Sequence, residues 1–396
     1  MATKKRVVVI GGGAGGALLA NNLPLEEFDV TVIDRSPYHY YWPWLLYVAF
    51  KGSKRPMKKE IRELLKPGVS FIQAGAQSVD LNNRKVVLEN GKTLEYDYLV
   101  IATGSRPTYS QIGGHKKVVE RYGDYHSSEE NARRVWNAIN SLKQGTFAVI
   151  VGGDPYRCPP SPLEGVFLAE EFFRARGLRD KVKIVFAVPY PRPYPAEPMN
   201  EVVEPILRER GIEYITFFTL DRIDEEKKVA VSMEGEELKY DVLVVIPPHV
   251  GTDMKIAPED VLTQDRFIQA DKYTNNIKGF DDAFVIGDAS AVPVAKTGVT
   301  AHLQAGVVAR RLQGEDARNS GRTNCPFDLG YGLGTFVISD YNNPVVKLPP
   351  SRFSHLAKIA FAASYWDMIR YPELWNPIFE AYFEATEPAK LGRIYV

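Results

Sequence analysis

The 396-residue chain has only two cysteines, Cys158 and Cys325, and they stand 167 positions apart. Zinc and iron–sulfur sites built on thiolates need more ligands at closer spacing, so no metal centre is expected. The six histidines show neither HxxxH nor HxH spacing, which removes the common metallohydrolase readings. No run of about 18 apolar residues exists, so no membrane-crossing helix is expected. Charge of one sign is also lacking: 49 Lys and Arg balance 49 Asp and Glu. A neutral chain has no electrostatic reason to track a nucleic acid. Met1–Arg6 runs straight into an apolar strand without a leader-like apolar core and cleavage site, which predicts no signal peptide and a cytoplasmic address.

What is present reads as an ordinary globular enzyme, 45% hydrophobic and 25% charged, and too long for a single core. Apolar, β-branched runs with glycines at their C-terminal ends recur at 6–11, 30–34, 98–104, 147–153, 183–188, 241–247 and 283–288, as buried parallel strands do. Helical patterns at 164–176 and 201–210 fall between them, which predicts an α/β, doubly wound architecture. Blocks 69–97 and 212–240 alternate apolar and polar residues around Asn-Gly and Glu-Gly turns and predict antiparallel hairpins. Each half therefore repeats one order of elements, starting near residues 6 and 147. A Pro/Tyr-rich loop, PYPRPYPAEP, fills 189–198, and from about 321 the composition turns aromatic.

Gly11-Gly12-Gly13-Ala14-Gly15-Gly16 follows the first strand and opens a helical run at 17–22. It satisfies GxGxxG at Gly11, Gly13 and Gly16: a tight turn, a close approach of backbone to pyrophosphate, and close helix–strand packing. Asp34 ends the second strand, with Arg35 beside it, where an acid is needed for a ribose hydroxyl. Thr103-Gly104 and Gly287-Asp288 end two further strands, and a chain needing both reaches along an extended FAD. In the second half the matching turn reads Gly152-Gly153-Asp154-Pro155-Tyr156-Arg157-Cys158. Its third glycine is missing, Asp154 would repel phosphate, and no acid ends the next strand. The second unit keeps the fold while its nicotinamide site looks dismantled. Cysteines this far apart meet only through the fold; otherwise they are two unrelated buried thiols.

The order GGGAGG, ATG, GGDPYRCPPSPLEG, VIGDAS, VAKTG, AHLQA and CPFDLGYG resembles the sulfide:quinone oxidoreductases and the flavoprotein subunit of flavocytochrome c sulfide dehydrogenase, over about residues 6–383. The most specific piece is Cys158-Pro159-Pro160-x-Pro162 with Glu164 six residues after the cysteine. The resemblance implies two Rossmann-like dinucleotide-binding domains, one made of 1–112 and 265–320 for FAD, the other of 113–264, followed by a quinone and membrane-attachment region at 321–396. It implies sulfide attack on a Cys158–Cys325 disulfide, a persulfide on Cys158, and two electrons passed by Cys325 to the flavin. Glu164 matches a carboxylate that moves protons; without that role it is a solvated first-turn helix acid. Lys296 matches a lysine by the flavin pyrimidine ring; its alternative is a surface lysine. The third cysteine that many members hold near 127 is replaced by His126-Ser127-Ser128, and the region of Tyr41–Trp44 lacks the cysteine that tethers FAD in the flavocytochrome. Non-covalent FAD is expected.

After Pro372, apolar residues fall at 374, 375, 378, 379, 382 and 383, and before it Leu356, Ile359, Ala360, Ala363 and Ile369 give a less regular face. Two amphipathic helices joined at a proline predict attachment in a membrane interface, against the alternative of a pair packed on the body or on a partner subunit. In the resembling family this tail enters the membrane and lines the quinone site, which places Phe361 and Tyr365 against the quinone. The expected partners are thus sulfide, a membrane quinone, the membrane surface on its cytoplasmic face and, in a homo-oligomer, a second copy of the chain. Three rivals stand beside this reading: a type II NADH:quinone dehydrogenase, a soluble sulfide dehydrogenase donating to a cytochrome, and a non-catalytic flavin-binding assembly protein.

Overall fold

The computed structural model describes residues 3–395, the side chains of 392–395 excepted. Met1 and Ala2, where the leaderless reading begins, and Val396 at the end of the tail lie outside the described residues. Two parallel sheets organise the chain. The first runs Ala283–Val285, Tyr98–Ile101, Lys5–Ile10, Phe28–Asp34 and Ser70–Gln73 in spatial order. Along Lys5–Ile10 the side chains alternate between two buried layers, as a period of two requires. Val7 and Val9 face the helices Ala14–Asn22 and Gly298–Leu312, while Val8 and Ile10 face a layer holding Val79, Val86 and Ile256. Both faces are covered, which is why this strand reads as an unbroken apolar run.

The second sheet repeats the plan with Glu213–Ile215, Val182–Ala187, Gly145–Val151 and Val242–Ile246, all parallel. The predicted helices are observed at Ser161–Ala175 and Glu197–Glu209. The hairpin blocks are shorter than expected. Ser70–Gln73 and Glu213–Ile215 are edge strands of the parallel sheets, and antiparallel pairing starts only at Ala76 and Leu220. Alternation alone cannot separate the two, because an exposed edge strand also shows one polar face.

Past residue 320 an antiparallel hairpin, Thr323–Gly330 with Leu333–Ser339, lies against the Ser161–Ala175 helix and carries Cys325 in from the far end of the chain. Three helices follow, Arg352–Arg370, Pro372–Ala385 and Pro388–Tyr395. The expected face of the first is corrected. Its buried side is Ser354, Lys358, Ala362, Tyr365, Met368 and Ile369, whereas Leu356, Ala360 and Ala363 are exposed. Hydrophobicity misplaces this face because two of its inward residues, Ser354 and Lys358, are polar. The stripe after Pro372 splits: Trp375, Phe379, Tyr382 and Phe383 are half-buried, with Phe379 against His302, while Leu374 and Ile378 face outward. Among the described residues no helix is long and apolar enough to cross a membrane.

Burial also keeps three histidines neutral. Loss of hydration lowers His39 and His115 to about 4 and His126 to about 3. A group depressed in the fold below its unfolded value of about 6.5 stabilises the fold above that value and loses this as pH falls toward its folded one. The unfolding midpoint is therefore expected to drop between pH 6.5 and pH 5, before ordinary carboxylates titrate, by on the order of 1 kcal/mol per histidine. Scanning calorimetry across that range checks it; a flat profile would contradict neutral burial.

Candidate active site

The glycine loop sits between the Lys5–Ile10 strand and the Ala14–Asn22 helix. A Cβ at Gly11 would lie 2.3 Å from the Ala102 carbonyl oxygen and one at Gly16 would strike the Gly11 carbonyl, so both positions require glycine. A Cβ on Gly13 meets nothing within 4 Å, because Gly13 faces an open cavity of about 620 Å³. The helix begins with no acidic residue in its first turn and no side-chain cap, leaving its free N–H groups and positive end for an anion. Asp34 accepts from Gly12 N at 2.7 Å and from Ser36 N at 2.9 Å; burial raises its carboxyl against those bonds. This cradle fits the pyrophosphate and ribose of a dinucleotide.

Gly11, Gly13, Ala14, Gly15, Asp34, Arg35, Thr103, Gly104, Gly287, Asp288 and Lys296 all line the one cavity, together with Cys158, Glu164, Cys325, Phe361 and Tyr365. Gly16 stands behind it, at the helix–strand contact. Arg35 lies at the rim, exposed, with its guanidinium held by Glu89 at 3.2 Å and Asp253 at 3.4 Å. Asp288 lies in the turn at Gly287–Ala289, its carboxyl raised by burial and held back by Arg157 and Lys296. Lys296 is half-buried rather than a free surface lysine; its Nζ donates to the carbonyls of Asp288 and Ser290 at 2.9 and 3.0 Å.

The fold brings Cys158 and Cys325 to the wall of the same cavity as free thiols, near enough for Cys325 to raise the Cys158 thiol. Cys158 occupies the left-handed region at φ 55°, an unfavourable conformation for a non-glycine residue. Its N–H donates to the Lys296 carbonyl at 2.8 Å, and its own carbonyl accepts from Ser161 N at 2.8 Å, which fixes the strained residue at the start of a helix. The neighbouring Cys325, with burial, pushes the Cys158 thiol well above its ordinary value. Across the degenerate second turn, Asp154 accepts the Tyr190 hydroxyl at 2.7 Å, so the Pro/Tyr loop is anchored over that turn.

Glu164 is no solvated helix acid, being 2% exposed. It pairs with Lys358 and accepts from the Asp328 N–H at 2.6 Å. Burial raises its carboxyl against the Lys358 ammonium. Burial works to lower Lys358, but Glu164, Tyr47 and Asp328 together outweigh it and hold the ammonium well above its usual range. Asp328 in turn accepts the Tyr47 hydroxyl at 2.6 Å, with the half-exposed His355 3.4 Å away. Lys358, Asp328, Arg157 and His39 escaped the sequence reading. The available signals were a lysine inside the apolar helical run HLAKIAF and an acid inside CPFDLGYG. Tyr365 is buried with its hydroxyl on His39 Nε2 at 2.7 Å, so the ring, and not a free hydroxyl, is what it offers the cavity.

Two parallel sheets, a glycine cradle at the end of one and a cysteine past the glycine turn at the end of the other, joined by a second cysteine from the tail hairpin, define a dinucleotide-dependent disulfide-type oxidoreductase. The model of the pyridine nucleotide-disulphide oxidoreductase family matches residues 5–307, and the chain belongs to that family; its cofactor is FAD. The chain is 26% identical over 391 residues to a mitochondrial sulfide:quinone oxidoreductase of Dictyostelium discoideum, covering 91% of this chain and 85% of the relative. It is 25% identical over 308 residues to a type II NADH:quinone oxidoreductase of Staphylococcus haemolyticus, covering 73% and 75%. The X-ray structure of the sulfide:quinone oxidoreductase of Aquifex aeolicus superposes with a TM-score of 0.85 at 22% identity, over 97% of this chain and 96% of that one.

The Glu164–Lys358 pair gives a direct test. Removing one partner of a buried pair strands the other charge, so Glu164→Gln and Lys358→Met are each expected to cost about 3–5 kcal/mol of stability. The double variant is expected to recover most of that loss, read from urea unfolding midpoints as a coupling energy. Additive losses would show that the two groups do not share one interaction.

Proposed function

We propose that this chain oxidises sulfide and passes the electrons to a membrane quinone. The observation that carries the reading is the convergence of Cys158 and Cys325, 167 positions apart, on the wall of the same cavity that holds the glycine cradle. In the oxidised enzyme hydrosulfide attacks the Cys158–Cys325 disulfide. A sulfur–sulfur bond forms to Cys158, the old one breaks, and Cys325 leaves as a thiolate. Closing a Cys158–S–Cys325 bridge from that persulfide and thiolate releases a proton and two electrons, for which FAD in the glycine cradle would supply the oxidant and the quinone the final acceptor. A second hydrosulfide attacking the bridge would carry the inserted sulfur away as the original disulfide re-forms. Sulfane sulfur is the product, and the third cysteine's absence at His126-Ser127-Ser128 leaves the pair to work alone. Gly11, Gly13, Ala14 and Gly15 would hold the pyrophosphate with Gly16 packing the helix behind them, Asp34 a ribose, and Thr103, Gly104, Gly287, Asp288 and Lys296 the rest. Both cysteines are committed to each other, which supports non-covalent binding of FAD.

Glu164 and Lys358 line the same cavity as the cysteine pair and Phe361, and the ion pair is suited to hold a proton that a reduced quinone must receive. Phe361 is the face offered to the quinone ring, backed by Tyr365 at 6.4 Å between centroids. On this reading 1–112 with 265–320 is the FAD domain, 113–264 the degenerate second domain, and 321–396 the attachment region. Phe353 at 77%, Leu356 at 64%, Leu374 at 65% and Ile378 at 56% exposure support seating of the tail on a membrane surface, with the cytoplasmic face the one expected. The NADH-dependent alternative has the likeness of the type II relative in its favour, but Asp154 and its bond to Tyr190 speak against a nicotinamide dinucleotide in the second unit.

Anaerobic addition of sulfide to the purified holoenzyme is expected to bleach the flavin, and a quinone analogue to restore it. Cys158→Ser is expected to lower the rate by at least about 10³-fold, as loss of the group that forms the covalent intermediate does. Bleaching by NADH and not by sulfide would overturn the reading. Leu374→Glu with Ile378→Glu is expected to shift the protein from vesicle-bound to free in sedimentation while soluble-quinone reduction persists; unchanged binding would locate the membrane contact elsewhere.

A further inference from the structure

His39 lies where three parts of the molecule meet. It is buried at 1% exposure, with Nδ1 2.9 Å from the Gly12 carbonyl oxygen and Nε2 2.7 Å from the Tyr365 hydroxyl. A carbonyl oxygen only accepts, so Nδ1 carries the proton. A neutral ring protonated at Nδ1 presents a lone pair at Nε2, so Tyr365 donates there. Gly12 N–H donates in turn to Asp34. Gly12 is therefore held on both of its peptide groups, its carbonyl by His39, which Tyr365 holds in turn, and its N–H by the carboxylate expected to meet a ribose.

A second tie runs alongside. Asn21, on the helix that the glycine loop opens, donates to the Ile369 carbonyl at 2.7 Å and to the Leu64 carbonyl at 2.8 Å, and its own oxygen accepts from Lys66 N. Tyr365 also stacks on Tyr41 at 4.3 Å, and His39 meets the edge of Trp366 at 5.6 Å. The Arg352–Arg370 helix is thus fastened to the dinucleotide loop and not merely laid on the body.

We propose that His39 is a positioning residue that couples occupancy of the glycine loop by FAD to the seating of the Arg352–Arg370 helix. That helix carries Lys358 and Phe361, so the coupling makes the second half of the cavity complete only when the cofactor is in place. Tyr365 acts through His39, and the coupling holds whatever substrates the cavity takes.

The test uses the full-length protein stripped of FAD and reloaded by titration. In the wild type, FAD is expected to slow trypsin cleavage at Arg352 and Arg370. Tyr365→Phe is expected to weaken FAD binding about 2- to 10-fold, the weight of one neutral hydrogen bond, and to abolish that protection. His39→Asn keeps a donor toward Gly12 but loses the partner of Tyr365, and is expected to behave like Tyr365→Phe. His39→Phe is expected to be weaker still, with the double variant no worse than His39→Phe alone. FAD affinity and FAD-dependent protection that match the wild type in Tyr365→Phe and His39→Asn would overturn the coupling, as would strict additivity. If His39→Phe fails to fold, the two milder variants still decide.

Discussion

One buried ion pair organises this molecule. Glu164 comes from the first turn of the helix after Cys158, Lys358 from the tail, and the Asp328 N–H that completes the carboxylate's bonding comes from the hairpin that delivers Cys325. Three segments spread over nearly two hundred residues converge on one carboxylate. Two charges taken out of water are stable only when each finds its partner, so the pair specifies where the tail helix sits as well as holding it there. The two thiols reach one cavity because this junction fixes the helix and the hairpin that bear them.

The second unit shows how a binding fold is put to another use. Its parallel sheet is intact, and a glycine-rich turn still follows the Gly145–Val151 strand. The turn now holds Asp154, bonded to Tyr190 of the Pro/Tyr loop, and it ends in Cys158 with its strained backbone. A helix start that elsewhere in the same chain is left free for phosphate has here become the platform for a sulfur atom.

The fold was legible in the sequence because parallel strands buried on both faces read as apolar runs ending in glycine, and the glycine cradle has few alternatives at Gly11 and Gly16. Cys158, Cys325 and Glu164 stood out through the family likeness. Lys358 and His39 did not, since each is a lone polar residue whose partners, Glu164 and Tyr365, lie 194 and 326 positions away. Pairings of that range leave no local pattern. The inward face of the Arg352–Arg370 helix was misassigned in part for the same reason: Lys358 looks like a solvent-facing residue until Glu164 is known, while Ser354 bonds only to Ser351 at the helix cap.

The cavity has a final consequence. The thiols and the Phe361 ring line one cavity, while Leu374 and Ile378 turn outward from the tail. On the proposed function a water-borne anion and an oil-borne ring would be served by that one space, so the protein would join two media that do not mix and let charge cross between them.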